Sequence, residues 1–400
     1  MVKNKIIHLN VGAITLSKSM KISDLEEYLY STWATRFAKR TMNFTDEYEI
    51  ECWVMYNSDF FGDQGIFKRE KWGITFRGFP GRVILLRLLS FSLLKELNQQ
   101  IKNRKKILVH LQGLHDLMPA FVAHICKDIP LVAQQRGGSI PSSWRLRCKK
   151  KYRYFIKILF DELTIRNFDF IFASSKGEVN YIGRKLGLEK VIHLKGGGFN
   201  FERYKPLSRH KAREELGLSQ GKKIMLHVSR FKTITGVDNS IAIYNELNKK
   251  YDVEMIFIGG NEENPLYDDV MRSGALVKGR IPRDELVKYI SASDVHIMPT
   301  TDVNWIPYGD IPTVLIESLA LNRPVVSAAL IHFSGNLEER RKLGFVTKNK
   351  EEALEALEFI FANPDNYRNT REIIRKYYNW ETIVSKNCKV YNQLLNQYYE

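Results

Sequence analysis

Short apolar strands alternate with helical stretches along this whole chain, and no other feature limits its possible folds so strongly. Strand candidates are residues 5–9, 48–55, 72–76, 106–110, 130–133, 168–173 and 190–194 in the first half, and 223–228, 254–258, 275–277, 294–298 and 324–328 in the second. Helical candidates in the first half are residues 21–40, 82–102, 119–127, 143–164 and 175–186. This alternation predicts βαβ units, in which parallel strands form a sheet that helices cover on both faces. The chain is therefore predicted to belong to the α/β class.

The alternation is interrupted between residues 196 and 206. Three glycines are followed there by an aromatic and charged run that ends at Pro206, which is typical of a crossing between domains. A chain of 400 residues is long enough for two domains, each with its own core. We predict a Rossmann-like domain over residues 1–205 and a second one over residues 206–379, with a cleft between them. An amphipathic helix, about residues 380–400, is predicted to return to the first domain.

The composition is that of a soluble globular protein, with 44% hydrophobic and 26% charged residues. Four cysteines lie far apart without a CxxC pair, which argues against a disulfide or metal framework and favours a reducing compartment. The apolar run at residues 6–11 is too short for a signal peptide and is interpreted as a strand. The most apolar predicted helix, residues 83–97, contains three charged side chains and is not expected to span a bilayer. We therefore predict a cytoplasmic protein.

The net charge of +16 belongs almost wholly to the first half of the chain. Residues 1–200 contain 33 Lys and Arg against 18 Asp and Glu, whereas residues 201–400 contain 28 against 27. Basic residues are densest at 102–106 and at 145–153. Such a surface could attract anionic lipid head groups, a phosphate-bearing acceptor or nucleic acid, and a solvated surface that serves solubility is the alternative.

Residues 309–327 have the pattern of a loop, a helix, a turn and a short strand. Pro312 suits the first helical position, and Asn322 lies where the chain must reverse, a position that tolerates a left-handed conformation. The predicted buried face of the helix consists of Val314, Leu315, Leu319 and Ala320. The free N–H groups of Thr313 and Val314 would form an anion site, and Glu317 would need a polar partner. A ligand with a phosphate and vicinal hydroxyls would satisfy both, whereas a glutamate on the exposed side of an ordinary helix is the alternative.

Two further loops follow strands of the second half. Arg230 and Lys232 follow the strand at 223–228, where a guanidinium can bind two phosphate oxygens and an ammonium adds a point charge. Lys278 and Gly279 follow the strand at 275–277, and a glycine there permits a flat base to approach the backbone. Ligands of open parallel sheets collect beyond the carboxyl ends of the strands, so both loops are candidate binding elements. A solvated arginine and a simple turn are the alternatives.

Strand ends of the first half carry glycines and polar residues. Gly12 follows the first strand, His110 and His115 lie at the end of a later one, and Arg136 follows the next. The two histidines could carry protons or bind hydroxyls, and structural histidines with satisfied hydrogen bonds are the alternative. No His, Cys and Asp cluster has metal-ligand spacing, and no serine has the surroundings of a nucleophile elbow. The chemistry is therefore not expected to need a protein-bound metal.

Taken together, these residues resemble glycosyltransferase family 4, the retaining, nucleotide-sugar-dependent group 1 glycosyltransferases of GT-B fold. The resemblance covers essentially the whole chain and is most specific over residues 223–345. Its motifs are DVHIMP at 294–299, IPTVLIESLA at 311–320, RPVV at 323–326, GFV at 344–346 and NWE at 379–381. The resemblance implies two Rossmann-like domains whose parallel sheets face each other across a cleft. It also implies a donor of UDP- or GDP-sugar type as co-substrate and no further cofactor.

The resemblance assigns roles to individual residues. Glu317 takes the place of the second Glu of the family's Glu-x7-Glu motif and would hold the ribose hydroxyls, and Arg230 would neutralise the donor diphosphate. The other implied donor contacts are the N–H groups of Thr313 and Val314, the loop glycine Gly12, Lys278 and Gly279 beside the base, and Lys232 for a lysine that the family has where Thr235 stands. The family transfers the sugar with retention and without a protein nucleophile. Electrostatic stabilisation of the leaving diphosphate would then be the main contribution of the protein.

Two departures from the family pattern affect the expected chemistry. Gly309 stands where the first Glu of the motif is expected, and the adjacent Asp310 is expected to contact the donor sugar instead. Arg136 stands where the family has an active-site histidine. The candidate catalytic residues are therefore Arg136, His110 and Asp310.

The sequence as a whole predicts a hexosyltransferase that moves a sugar from a nucleotide-diphosphate donor to a cell-envelope glycan or lipid-linked acceptor. The basic segment at 145–153 indicates an anionic acceptor or a peripheral contact with the inner face of the plasma membrane. A catalytically silent protein that binds nucleotide or glycan in a biosynthetic complex is the first alternative, because Gly309 and Arg136 alter the pattern. A nucleotide-sugar epimerase is a second alternative. Nucleic-acid binding would rest on charge alone, without a recognised module of stacking aromatics, and no nucleic-acid partner is predicted.

Overall fold

The computed structural model describes residues 3–11, 24–84, 87–103, 106–114, 117–135, 158–159, 161–195, 197–300 and 311–400. The chain divides into two units, of which unit 1 contains residues 1–198 and 380–400 and unit 2 contains residues 199–379. Each unit has a sheet of its own in which parallel pairing dominates. The predicted α/β class with two Rossmann-like domains is therefore confirmed.

The first strand of unit 1 lies near the middle of its sheet. The described strands are β1 (Asn4–Asn10), β2 (Tyr48–Asn57), β3 (Phe67–Lys71), β4 (Ile74–Ile84), β5 (Arg87–Leu89), β6 (Ile107–Gln112), β7 (Leu131–Gln134), β8 (Phe170–Ala173) and β9 (Val191–His193). Their order is β3-β4-β2-β1-β6-β7-β8-β9, and β5 pairs with the end of β4. The pairs β3–β4 and β4–β5 are antiparallel, and the remaining described pairs are parallel.

The central strands of unit 1 are buried on both faces. Every residue of β6 is buried, so its sequence ILVHLQ shows an apolar run and no alternation of polar and apolar residues. Ile7 and Val109 point into one apolar cluster, whereas Ile6 and Leu108 point into the cluster on the other face. This arrangement requires helices on both sides of the sheet.

The sheet of unit 2 is parallel throughout its described pairs. Its strands are β10 (Lys223–Val228), β11 (Val253–Ile258), β12 (Leu276–Lys278), β13 (Val295–Met298), β14 (Val325–Ser327) and β15 (Gly344–Phe345). The order is β12-β11-β10-β13-β14-β15. The strand order reverses between β10 and β13, and ligands of such doubly wound sheets bind beyond the carboxyl ends at that point.

Helices connect the strands in both units. The described helices are α1 (Leu25–Ser31), α2 (Trp33–Phe44), α3 (Ser58–Phe61), α4 (Phe91–Lys102), α5 (Leu117–Ile125), α6 (Lys176–Leu186), α7 (Arg209–Leu216), α8 (Val237–Leu247), α9 (Tyr267–Arg272), α10 (Arg283–Ala292), α11 (Thr313–Ala320), α12 (Leu337–Arg341), α13 (Lys350–Ala362), α14 (Thr370–Tyr378) and α15 (Trp380–Tyr399). No helix in the described parts of the chain combines the length and the apolar character that crossing a membrane requires.

The prediction of a single helix over residues 82–102 is wrong. β4 continues to Ile84 and returns as β5, and α4 begins only at Phe91. The Ser90 hydroxyl caps α4 by accepting a hydrogen bond from the Leu93 N–H group (3.4 Å). The apolar run before Ser90 is short and rich in residues that also suit strands, so its periodicity does not distinguish a hairpin from a helix.

One other predicted helix differs from the structure, and a further one is described only in part. The stretch at residues 21–40 contains two helices, because the Thr32 hydroxyl accepts from the Thr35 N–H group (3.2 Å) and starts α2 anew. Of the stretch at 143–164, only residues 158–159 and 161–164 are described, and these are helical. The hairpin strand β3 was not predicted, since four of its five residues are exposed and it lacks an apolar run.

The crossing segment belongs to unit 2, so the boundary falls after Gly198 and earlier than predicted. Phe199, Phe201 and Tyr204 pack into the core of unit 2. Arg371 reinforces this packing because it donates hydrogen bonds to the carbonyl oxygens of Phe201 (2.8 Å) and Tyr204. The last helix, α15, packs within unit 1 and contributes to one of its apolar clusters.

Candidate functional site

The loop after β10 presents two cations at the carboxyl edge of the sheet in unit 2. Arg230 and Lys232 are exposed, and neither has a carboxylate within ion-pair distance among the described residues. The loop is tied to the end of β13, since Thr300 Oγ1 donates to the Ile234 carbonyl oxygen (2.8 Å) and Asn239 Nδ2 donates to the Pro299 carbonyl oxygen (2.9 Å). These hydrogen bonds fix the loop at the switch point, where the exposed side chains of Arg230 and Lys232 can bind an anion.

Gly236 makes this close approach possible. Its φ of +74° lies in the left-handed region, and a Cβ there would come within 2.6 Å of the backbone of Pro299 and Thr300. A glycine is the residue that accepts both conditions without strain. The junction of the two loops thus depends on a residue that was not singled out from the sequence.

A buried polar network supports the same loop from below. The two imidazole nitrogens of His227 lie 2.8 Å from the hydroxyl oxygens of Ser240 and Ser229. Ser229 Oγ lies 3.0 Å from Thr235 Oγ1, which lies 2.7 Å from the Lys232 carbonyl oxygen. Burial lowers the pKa of His227 to about 3, so the ring is neutral at physiological pH. The network therefore fixes the backbone of the loop through uncharged groups alone.

The helix α11 begins one residue later than predicted. Pro312 is its N-cap, and its carbonyl oxygen accepts from the N–H groups of Leu315 (3.0 Å) and Ile316 (3.3 Å). The first helical residues, Thr313 and Val314, have no preceding turn to accept their N–H groups. Since Thr313 is exposed and Val314 is half-buried, this end of the helix is accessible to an anion.

The end of α11 agrees with the sequence interpretation, and its buried face agrees in part. Asn322 has a φ of +56°, which confirms the left-handed position expected there. Leu315, Leu319 and Ala320 are buried as predicted, while Ile316 takes the place predicted for the half-buried Val314.

The carboxylate of Glu317 is buried, and only one of its two oxygens accepts hydrogen bonds from the described residues. The residue is 1% exposed, which excludes the alternative of a glutamate on an exposed helix face. Its Oε1 accepts hydrogen bonds from the Tyr204 hydroxyl (2.7 Å) and from the Arg283 guanidinium. Its Oε2 is buried and has no hydrogen-bond partner among the residues that the structure describes. A buried, unpaired carboxylate oxygen is costly, so this atom is suited to accept hydrogen bonds from a ligand.

Burial raises the pKa of Glu317, and the Tyr204 hydroxyl and Arg283 guanidinium act against that rise. Tyr204 and Arg283 were both missed by the sequence reasoning. Tyr204 lies in the aromatic segment for which the sequence predicts only a crossing between domains. Arg283 is the first residue of the helix α10. Neither position has a local pattern that points to Glu317.

Lys278 and Gly279 lie at the same edge of the sheet, after β12. The Gly259 N–H group lies within hydrogen-bond distance of the carbonyl oxygens of Lys278 (3.1 Å) and Gly279 (3.2 Å), which joins the loops after β11 and β12. Gly279 is exposed, and the nearest atom to a Cβ built there is the Gly260 carbonyl oxygen at 3.9 Å. There is open space for a flat group, and the contact with a base stays a prediction.

His110 has the contacts of a structural histidine, the alternative that the sequence analysis left open, and its predicted catalytic role finds no support in them. It is fully buried in β6, with Nδ1 2.5 Å from the Tyr391 hydroxyl and Nε2 3.2 Å from Gln112 Nε2. Both ring nitrogens of His110 thus have partners within unit 1, whereas Oε2 of the equally buried Glu317 has none among the described residues. The strand pattern could not reveal this, because β6 is buried on both faces.

Three predicted site residues, Gly12, Arg136 and Asp310, lie outside the described residues, as do Gly309 and His115. Within the described ranges, no group of three or more His, Cys, Asp or Glu side chains is arranged to hold a metal ion. The described part of the site therefore consists of Arg230, Lys232, Lys278, Gly279, Thr313, Val314 and Glu317, all of them in unit 2.

Comparison with known proteins shows similarity to glycosyltransferases. Residues 208–377 match the family described as glycosyl transferases group 1. An uncharacterized glycosyltransferase of Methanocaldococcus jannaschii is 20% identical over 259 residues, which are 62% of this chain and 64% of that protein. TuaC of Bacillus subtilis, whose description names teichuronic acid biosynthesis, is 23% identical over 150 residues, 38% of this chain and 36% of that protein. The matched regions thus span less than two thirds of either relative.

Solved structures share the fold over nearly the whole chain. Sucrose-phosphate synthase from Thermosynechococcus elongatus matches with a TM-score of 0.65 and 16% identity, covering 98% of this chain and 100% of that one. HepE from Anabaena, in complex with UDP, matches with a TM-score of 0.65 and 14% identity over the same shares. Identities this low establish the fold alone. The chain is a protein of GT-B fold whose second unit matches the group 1 glycosyl transferases.

Proposed function

We propose that this protein is a glycosyltransferase that binds a nucleotide-diphosphate sugar on unit 2. The observation that carries the proposal is the buried carboxylate of Glu317, whose Oε2 has no partner in the described part of the chain. Glu317 belongs to α11, and the first N–H groups of this helix are accessible. A ligand with both hydroxyls and phosphates satisfies these groups together. Arg230 and Lys232 at the switch point supply positive charge, and neither forms an ion pair with a carboxylate of the described residues.

The donor would meet each of these groups with a different part. Glu317 Oε2 would accept hydrogen bonds from the ribose hydroxyls, and Arg230 with Lys232 would bind the diphosphate. The N–H groups of Thr313 and Val314 would add to the phosphate contacts. Lys278 and Gly279 would border the base. A uracil or guanine base is proposed, and the UDP in the HepE complex supports the former.

The proposed chemistry is sugar transfer with retention, without a protein nucleophile or a protein-bound metal. The bond between the anomeric carbon and the donor phosphate oxygen breaks, and a bond from the same carbon to the acceptor oxygen forms. The acceptor proton passes to the leaving phosphate. Arg230 would stabilise the charge that develops on that diphosphate, which is where preorganised cations contribute most. Roles for Gly12, Arg136 and Asp310 stay predictions from the resemblance.

The proposed acceptor is a cell-envelope glycan or a lipid-linked glycan. The relative named for teichuronic acid biosynthesis supports an envelope glycan, and the basic first half of the chain supports an anionic acceptor. We further propose a cytoplasmic location with peripheral contact to anionic membrane. The basic segment at 145–153, which prompted this idea, lies outside the described residues.

A donor screen tests the proposal directly. The purified protein is incubated with UDP-, GDP- and ADP-sugars, and thermal shift and release of nucleotide diphosphate are measured; a bound donor raises the melting temperature. Glu317→Ala and Arg230→Ala should remove both signals. Arg368→Ala, which removes an exposed cation paired with Asp365 just before α14, is the control and should retain both. Normal turnover in both site variants would reject the assignment.

A catalytically silent nucleotide- or glycan-binding protein is the second candidate. It is favoured by Gly309, which stands where the resemblance leads one to expect an acid. Calorimetric binding of a donor without hydrolysis or transfer, across a panel of acceptors, would establish this second function in place of the first.

A further inference from the structure

The sheet of unit 2 ends in an open groove. β15 is the last strand of its order, and no described strand pairs with its outer edge. A groove with a volume of about 840 Å³ lies at this edge and is walled by α12, α13 and α14. Phe345 packs against the apolar cluster on one face of the sheet, and Val346 packs against the cluster on the other face. The groove therefore takes the place of a further strand, between the helices of the two faces.

Apolar side chains form most of the lining of the groove. The rings of Phe345 and Phe359 meet edge to face, with their centroids 5.6 Å apart. Phe359 is 48% exposed, and Leu337 of α12 is 52% exposed. Tyr367 and Ile373 also line the groove. Small-molecule sites are typically concave and apolar, with volumes of about 300–1,000 Å³, so this groove has the size and the surface of such a site.

Arg340 and Arg341 of α12 place positive charge at the groove. Arg340 is half-buried and Arg341 is exposed, and neither guanidinium forms a hydrogen bond or an ion pair with a residue that the structure describes. The Glu338 carboxylate, which also lines the groove, is already paired with Lys342 (2.9 Å). A guanidinium binds two oxygens of a carboxylate, phosphate or sulfonate, and such bonds are stronger where apolar surroundings exclude water. The charge of the groove therefore favours an anion.

We propose that the groove binds a small amphiphilic anion, a molecule with an apolar body and one anionic group. The body lies against Phe345, Phe359 and Ile373. The anionic group, a carboxylate or a phosphate, binds the guanidinium groups of Arg340 and Arg341. No proposed donor contact lines the groove, so this ligand and a nucleotide sugar bind at separate places. The groove thus serves a ligand other than the donor, whether or not unit 2 binds a nucleotide sugar.

Two fluorescent probes that differ in charge test this site. Anilinonaphthalene sulfonate has an aromatic body and a sulfonate, and phenylnaphthylamine has the same body without the sulfonate. Both brighten in apolar surroundings, so fluorescence titration of the purified full chain gives a dissociation constant for each probe. Both should bind the wild type. Sodium chloride should weaken the binding of the sulfonate probe relative to that of the neutral probe.

The double variant R340Q/R341Q tests the cations. It should bind the sulfonate probe about tenfold more weakly or worse, because it removes the charged donors of the proposed hydrogen bonds. Its affinity for the neutral probe should stay that of the wild type. Arg184→Gln is the matched control, since Arg184 is an exposed cation of α6 in unit 1 and lies outside the groove. It should bind both probes like the wild type.

The single variant Phe359→Gln tests the apolar lining. It should bind both probes about tenfold more weakly, because it removes a ring that each of them would cover. Phe60→Gln is the matched control, since Phe60 is 50% exposed and meets Phe61 edge to face at 4.8 Å between ring centroids. It should bind both probes like the wild type. Circular dichroism and thermal unfolding show whether each variant keeps the wild-type fold.

Displacement of the sulfonate probe separates the possible bodies of the ligand. Decanoate carries an acyl chain and naphthyl phosphate carries an aromatic ring, and the anion that displaces the probe at the lower concentration has the preferred body. UDP should displace neither probe, since no proposed donor contact lines the groove. A chain that gives these probe results but binds no nucleotide sugar would reject the proposed function and retain the groove as a site.

An equal effect of R340Q/R341Q on the two probes, or unchanged probe binding in Phe359→Gln, would overturn the inference. Displacement of the probes by UDP, or failure of both anions to displace the sulfonate probe, would also overturn it. A dimer that Phe359→Gln dissociates would overturn it as well, because a second copy of the chain would then occupy the groove. Light scattering at the concentration of the titration checks this last outcome.

Discussion

Each unit has a pair of buried histidines at the point where the strand order of its sheet reverses. The two pairs differ in their hydrogen bonds. In unit 1, His8 and His110 are register partners on β1 and β6. In unit 2, His227 and His296 lie on the adjacent strands β10 and β13. All four residues are fully buried, so the position within the sheet does not by itself decide what a histidine does.

The hydrogen bonds separate the two pairs. Neither nitrogen of His8 has a partner among the described residues, and His110 bonds to Tyr391 of the last helix. In unit 2, His227 bonds to Ser229 and Ser240, and His296 bonds to Ser318 of α11 (2.6 Å). The pair in unit 1 therefore packs against α15 in the core of that unit. The pair in unit 2 positions the loop and the helix that carry the proposed donor contacts.

The largest effect should come from Arg230, the exposed cation on the loop that the histidine pair of unit 2 positions. Arg230→Ala should lower the transfer rate by about 100- to 1000-fold, as removal of a preorganised charge-stabilising group does. His110→Gln should lower the melting temperature but leave the rate per folded molecule unchanged. Steady-state kinetics and calorimetry on both variants measure this. A folded His110→Gln protein without activity would break the comparison.

The junction of the loops after β10 and β13 should be the next most sensitive feature. Gly236→Ala should destabilise the protein by about 3 kcal/mol, because it combines a positive φ with a clash against the backbone of Pro299 and Thr300. Gly217→Ala is the control, since Gly217 has a φ of +66° with nothing within 4 Å of an added Cβ. It should cost about 1 kcal/mol. Urea unfolding measures both, and equal losses would show that the contact does not matter.

Replacement of one histidine from each pair sharpens the contrast. His227→Leu should cost about 2 kcal/mol at pH 7, because it leaves the hydroxyls of Ser229 and Ser240 without their buried partner. His8→Leu loses no hydrogen bond and should change the free energy of unfolding by less than about 1 kcal/mol. The reverse order of the two losses would contradict the assignment of the polar network to unit 2.

Acid should destabilise both units through these residues. Burial lowers the pKa of His8, His227 and His296 to about 3 in the folded protein, against 6.5 when the ring is exposed. Their contribution to stability is complete above pH 6.5 and is lost as the pH falls towards 3, by about 1.4 kcal/mol per pH unit for each histidine. Urea unfolding between pH 6.5 and 4.5 measures the slope. His8→Leu should lower it by one histidine's share, and an unchanged slope would show that His8 is not buried neutral.

The smallest predicted effect concerns the second hydrogen bond to Glu317. Tyr204→Phe removes the hydroxyl donor but leaves the Arg283 guanidinium on the same oxygen. Donor affinity should fall about threefold to tenfold, as expected for the loss of one buried hydrogen bond. The hydrogen bond from Tyr204 lowers the pKa of Glu317, so its removal should raise that pKa and the carboxylate should protonate more readily. Calorimetric titration with the donor at two pH values checks both effects.

The sequence was most informative in unit 2. The strands β10 to β14 were predicted to within one or two residues, since short apolar runs with turn residues between them identify buried parallel strands. The left-handed Asn322, and the start of α11 to within one residue, followed from the chemistry of asparagine and proline, which acts within one turn of chain. In unit 1 the antiparallel hairpins escaped prediction, because their strands are either exposed or part of a run that also fits a helix.

Local pattern thus determined the α/β class, the two units, the loop with Arg230 and Lys232, and the helix that carries Glu317. Tertiary structure alone decided whether individual polar side chains meet solvent or other side chains. Glu317 receives its bonds from Tyr204 and Arg283, which are 113 and 34 residues away in sequence. His110 is enclosed by Tyr391, which is 281 residues away. Such contacts depend on which elements pack over a strand or helix, and no periodicity within one element encodes that choice.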